Sequence, residues 1–162
     1  MVAAGAPVRT APDDLLEPAV QASLLRRVVA YDPGLSGGEA VRVLVVHGRL
    51  SAPRAAELAL ALTAAGFVAS ALEVDEAERV ASARVVVWVM PDAASDAVKR
   101  LTTTRSWLSV CGEGATTLSG GAALALRRRE DGRPEILLHL GRLKAEKHAF
   151  LSSLVEMAKV IR

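Results

Sequence analysis

Short runs of β-branched residues alternate with alanine- and leucine-rich stretches along this chain, and this alternation limits its possible folds more than any other feature. The β-branched runs are nearly uninterrupted, as in strands that are buried on both faces. The stretches between them show helical spacing, caps and terminal glycines. The predicted strands cover residues 41–46, 67–74, 84–90 and 107–111, and the predicted helices cover 18–31, 51–66, 75–81 and 91–101. Such alternation favours a mostly parallel, Rossmann-like sheet with right-handed crossovers.

The pattern changes after Gly112. Two strand-like runs, 121–129 and 134–140, flank an Asp131-Gly132 pair, which is a strong signal for a β-hairpin. The last segment has apolar residues on one helical face from Leu143 to Ile161, and it predicts one long terminal helix packed on the sheet.

The length of 162 residues is typical of one domain. Residues 1–12 are aperiodic and rich in Ala, Pro and Gly, and we expect them to be a disordered lead-in. Residues 13–162 are then a single α/β domain: a mostly parallel sheet with a C-terminal β-hairpin and flanking helices.

Charge, hydropathy and cysteine content exclude several classes of protein. The 20 Lys and Arg alternate with 18 Asp and Glu instead of forming one basic face, so we expect no nucleic-acid partner. Apolar runs such as 85–90 are far shorter than the ~20 residues of a spanning helix, so we expect no direct membrane insertion. Cys111 has no partner for an intramolecular disulfide and ends an apolar run, as a buried inert thiol does.

Ligands of open α/β sheets bind beyond the carboxyl ends of the strands, which directs attention to three loops. An alternative hypothesis is therefore a small-molecule or nucleotide-binding domain. Its candidate residues are His47, Gly48, Arg49, Asp92, Gly112, Glu113 and Gly114.

The glycine loop from Gly112 to Thr117 resembles a phosphate cradle, but it has no Lys and leads into a strand, so we interpret it as a structural turn. Neither His47 nor His139 has a carboxylate or second His at metal-ligand spacing. We therefore expect no catalytic set, no metal and no cofactor.

The opening helix is apolar over more than one face. Leu15, Leu16, Leu25 and Val29 lie outside its main stripe of Val20, Leu24 and Val28. These four residues are candidates for a partner or homodimer interface, and the alternative is that both stripes are buried in two-sided packing.

Three segments of the C-terminal half carry a resemblance to a known family. They are Leu108-Ser109-Val110-Cys111-Gly112-Glu113, Gly120-Gly121-Ala122-Ala123-Leu124, and the run from Ile136 through Phe150 to Ile161. In their order and spacing the chain resembles, from about Pro18 to Ile161, the YfiR-like family of exported bacterial regulators. It departs from the family's usual Asn at His139 and Gly near Lys147.

The resemblance implies a small α/β protein, often dimeric and without enzymatic activity. Such a protein binds and restrains the extracytoplasmic domain of a membrane signalling protein, either a diguanylate cyclase in cyclic-di-GMP signalling or a sensor kinase. We therefore expect a periplasmic location. Residues 1–7 lack the basic and apolar regions of a secretory signal, so the alternative is a cytoplasmic protein whose native start is Met1.

Overall fold

One sheet organises the computed structural model, which describes residues 14–36, 40–150 and 152–161. The order of its seven strands is β2-β1-β3-β4-β5-β6-β7. The strands are β1 Arg42–Val46, β2 Val68–Leu72, β3 Val85–Val89, β4 Leu108–Cys111, β5 Leu124–Arg128, β6 Pro134–His139 and β7 Lys159–Ile161. Strands β1 to β5 are parallel, β6 is antiparallel to β5, and β7 is parallel to β6. The predicted α/β class, mostly parallel sheet and C-terminal hairpin are confirmed. The predicted lead-in at 1–12 lies outside the described residues.

The helices flank this sheet. They are α1 Pro18–Val29, α2 Ala52–Ala64, α3 Val74–Ala77, α4 Asp96–Arg105, α5 Gly114–Leu118, α6 Leu140–Ala145 and α7 Ser152–Met157. The helix α2 has a proline in its first turn and is followed by Gly66 in the left-handed region, as the sequence predicts. Within the described residues no helix has both the length and the hydropathy to cross a membrane.

Three predictions of local structure are wrong. The helix predicted from Pro91 begins at Asp96, because Pro91–Ala93 forms a 3₁₀ turn and Ser95 then caps α4 by accepting a hydrogen bond from Val98 N. The glycine loop contains α5, because the Glu113 side chain accepts a hydrogen bond from Thr116 N.

The long terminal helix is instead α6, α7 and β7. The helix α6 stops because Lys147 adopts the left-handed conformation, with φ 60°, and Glu146 turns its carboxylate into the core. The chain then returns to pair β7 with β6.

Both faces of the central strands are covered, which explains their nearly continuous apolar sequences. Along β1, Val43 and Val45 pack on the same side as α1 and α2, while Leu44 and Val46 pack on the opposite side with Val98 and Trp107. The two layers fix the ends of β1, β3 and β4, and the loops at these ends line a cavity.

Candidate functional site

The strand order reverses at β1, whose two neighbours are β2 and β3. In open parallel sheets this switch point leaves a crevice at the carboxyl ends of the strands, where ligands bind. Here it holds a cavity of about 300 Å³, the switch-point cavity, between the loops that follow β1, β3 and β4. Residues of α1 and α2 close its other sides.

Most of the cavity wall is apolar. Trp88 and Met90 contribute from the end of β3, Leu50 and Leu58 from the segment after β1, and Leu15 from the chain before α1. A largely apolar wall with a few polar groups is the usual composition of a small-molecule site.

Asp92 joins two of the loops. Its carboxylate accepts hydrogen bonds from Gly48 N at 3.1 Å, from Ser51 N at 3.1 Å and from the Ser51 hydroxyl. Partial burial favours the neutral acid, but the hydrogen bonds from Ser51 and Gly48 outweigh it and lower the pKa of Asp92. The ionised carboxylate therefore serves the protein's own backbone, just before α2.

The other predicted residues of the β1 loop lie outside the cavity wall. His47 has its Nδ1 2.8 Å from the Gly48 carbonyl oxygen, and Arg49 is exposed. Gly48 allows the close approach of Asp92, because a Cβ at this position would lie 2.6 Å from Asp92 Oδ2. The structure thus brings Gly48 to Asp92, and places Asp92, Gly112 and Glu113 in the wall.

Gln21 is the residue that sequence reasoning missed. Its side chain is 2% exposed and lines the cavity from α1. Its amide lies against Gly112, where an added Cβ would collide with Gln21 Nε2 and lie 3.2 Å from Leu15 Cδ1. No described residue forms a hydrogen bond with this amide, and the fully buried side-chain polar atoms without a partner belong instead to Arg84 and Arg142. The sequence signal that could have identified Gln21 is its position on the same helical face as the apolar residues Leu25 and Val28.

Glu113 is a second buried polar residue of the wall, at 4% exposure. Its carboxylate accepts hydrogen bonds from the Thr116 backbone N, at 3.1 Å, and from the Thr116 hydroxyl. No Lys or Arg among the described residues forms a salt bridge with it. A buried carboxylate without a cationic partner is costly.

The backbone of the glycine loop is occupied by protein carboxylates. Gly114 N donates to Asp14 Oδ2 at 2.7 Å, and Thr116 N donates to Glu113. Gly114 lies outside the cavity wall, and a Cβ added there would collide with Arg127 Nη1. An incoming phosphate would meet two carboxylates here, so this loop is not suited to bind one.

Cys111 lies at the end of β4 and is fully buried. Burial raises the pKa of its thiol to about 12, although a contact of 2.9 Å with the Thr117 hydroxyl oxygen acts in the opposite direction. A thiol that stays protonated at neutral pH is a poor nucleophile.

The four predicted interface residues fall into two groups. Leu16, Leu25 and Val29 are buried within the chain, and Leu15 lines the switch-point cavity. The burial of Leu16, Leu25 and Val29 matches the alternative of two-sided packing, because α1 turns this face to α2 and the sheet and leaves Val20 partly exposed.

Comparison of the chain with protein-family models gives no match, and comparison with curated proteins also gives none. Among the described residues no group of three or more His, Cys, Asp or Glu side chains is placed to hold a metal ion.

Proposed function

We propose that this protein is a regulator that acts by binding and not by catalysis. Its partner is the extracytoplasmic domain of a membrane signalling protein, a diguanylate cyclase or a sensor kinase, which it restrains. The proposal starts from the resemblance of residues 18–161 to the YfiR-like family.

One observation carries the proposal: the reactive groups at the strand ends serve as partners of the protein itself. The Asp92 carboxylate holds the β1 loop, the Glu113 carboxylate caps α5, and the Cys111 thiol is buried and protonated. A general base or a nucleophile needs an accessible lone pair next to the substrate. Residues committed in this way suit a binding protein.

A regulator of this kind must prefer one conformation of its partner, because binding both conformations equally shifts no equilibrium. The proposal also requires the chain to be in the periplasm, where it meets the extracytoplasmic domain. Fractionation of cells that express the native gene tests this requirement, and a wholly cytoplasmic product contradicts it.

Partner binding is tested by a pull-down with the purified protein immobilised. The ligands are the purified extracytoplasmic domains of membrane diguanylate cyclases and sensor kinases encoded near its gene. The matched controls are the cytoplasmic domains of the same proteins. We expect retention of one extracytoplasmic domain and of no cytoplasmic domain. Retention of none, or equal retention of both, contradicts the proposal.

A second candidate function is the binding of a small molecule in the switch-point cavity. The cavity lies where open α/β sheets bind ligands, and the buried amide of Gln21 borders it. A thermal-shift screen with nucleotides and metabolites tests this function, because a ligand at a hundred times its Kd stabilises the fold by about 2.7 kcal/mol. The matched control is Gly112→Ala, whose methyl group occupies the space against Gln21. A shift that persists in this variant points to another site.

A further inference from the structure

We infer that the switch-point cavity takes a small, mostly apolar molecule that carries a protonated amine. This inference rests on the second candidate function and names the chemical class of its ligand. It uses three properties of the cavity: the amide of Gln21, the charge of the wall and the apolar surface around Trp88.

The Gln21 amide supplies the first property. Gln21 is 2% exposed, and its side chain borders the cavity. A ligand with a nitrogen donor would satisfy the amide carbonyl oxygen, which accepts hydrogen bonds.

The charge of the wall decides between an amine and an acid. Two carboxylate residues, Asp92 and Glu113, line the cavity with one cationic residue, Arg54. Arg54 Nη2 already lies 3.4 Å from the Leu16 carbonyl oxygen. Glu113 is the more deeply buried carboxylate residue and has no salt bridge to a described residue. Asp92 is exposed at the rim, so the buried Glu113 carboxylate is the group that favours a cation over an anion in the cavity.

The apolar wall selects the remainder of the ligand. Trp88, Leu58, Met90 and Leu15 surround a volume of about 300 Å³, which is at the lower end for small-molecule sites. This space suits an aromatic or branched aliphatic body of about ten non-hydrogen atoms, and burial of that body supplies most of the affinity.

The test uses three probes of one shape and different head groups: 3-phenylpropylamine, 3-phenylpropan-1-ol and 3-phenylpropionate. Each is titrated at pH 7.5 into the ¹⁵N-labelled protein, with the side-chain amide of Gln21 and the indole N–H of Trp88 as reporters. We expect the amine to bind at least about tenfold more tightly than the alcohol, equivalent to about 1.4 kcal/mol, and the acid to bind most weakly.

Two variants assign the effect to named residues. Glu113→Gln keeps an oxygen to cap α5 and removes the charge, and we expect it to weaken amine binding about tenfold while leaving the alcohol unchanged. Gln21→Leu fills the same space without an amide and is the second variant if Glu113→Gln does not fold. The matched control is Glu156→Gln on the exposed side of α7, which removes one carboxylate far from the cavity.

The outcomes distinguish a wrong ligand class from a cavity that binds no ligand. If the acid or the alcohol binds as tightly as the amine, the amine is the wrong class although the cavity is a ligand site. If no probe perturbs Gln21 or Trp88, both the inference and the second candidate function fail at this cavity. Equal effects of Glu113→Gln and Glu156→Gln on amine binding also overturn the inference.

Discussion

Ser109→Ala is expected to destabilise the sheet strongly, although it removes a single oxygen atom. The Ser109 hydroxyl donates to Glu146 Oε2 at 2.6 Å and accepts from Ala123 N at 2.8 Å. The Glu146 carboxylate, which is 0% exposed, also accepts from Ser109 N at 2.9 Å and from Arg142 Nη2 at 2.9 Å. This cluster joins β4 and the start of β5 to the end of α6.

The expected loss of unfolding free energy follows from the hydrogen bonds that disappear with the Ser109 oxygen and from the donor that is then left without a partner. A hydrogen bond to a charged group contributes about 1.5–3 kcal/mol, and a buried donor without a partner, here Ala123 N, costs about 1–3 kcal/mol. We therefore expect Ser109→Ala to lower the free energy of unfolding by about 3–5 kcal/mol, a large share of the ~5–15 kcal/mol of a typical domain.

Urea unfolding followed by circular dichroism measures this loss, with the m-value checked for constancy. The control is Ser153→Ala on the exposed side of α7, where we expect a change within about 0.5 kcal/mol. A loss below about 1 kcal/mol for Ser109→Ala would refute the reasoning, because it would show that the buried cluster does not depend on this hydroxyl.

Three further predictions concern His148, Cys111 and Lys147. Burial alone would lower the pKa of His148, but hydrogen bonds to Asp32 and the Ser106 carbonyl raise it, so the stability from this pair is complete below about pH 6.5 and declines as pH rises through the folded pKa. The urea midpoint of the wild type should fall as the pH rises from 6 to 9, and the midpoint of His148→Gln should change less. Cys111 should react with a thiol reagent at pH 8 only on unfolding, and rapid reaction of the native protein contradicts its burial. Lys147→Gly should raise the unfolding free energy by up to about 1 kcal/mol, since φ is 60° there, and a loss shows that Lys147 makes other contacts.

The sequence predicted the sheet well because its signals are local. Runs such as Val85–Val89 are apolar without interruption, and only a strand covered on both faces suits them. The sequence signal for the hairpin around Asp131-Gly132 was equally local. The terminal segment was mispredicted because its helical periodicity says nothing of Glu146, whose partner Ser109 lies 37 residues away.

The candidate site was predicted only in part for a related reason. The loops after β1, β3 and β4 follow from the general rule for open sheets, and Asp92, Gly112 and Glu113 do lie in the cavity wall. Gln21 and Leu15 reach the cavity because α1 packs across α2. The sequence offered two apolar stripes on α1 and no means to choose which one faces the sheet.

The most direct test of the proposed function is the effect of the protein on the signalling output of its partner. The full-length cyclase or kinase whose extracytoplasmic domain is retained in the pull-down is reconstituted in vesicles, and its rate of cyclic-di-GMP synthesis or autophosphorylation is measured. The purified protein is added on the extracytoplasmic side at increasing concentration. We predict a saturable fall in that rate. An unchanged rate at concentrations that saturate binding, or retention of no partner at all, contradicts the account.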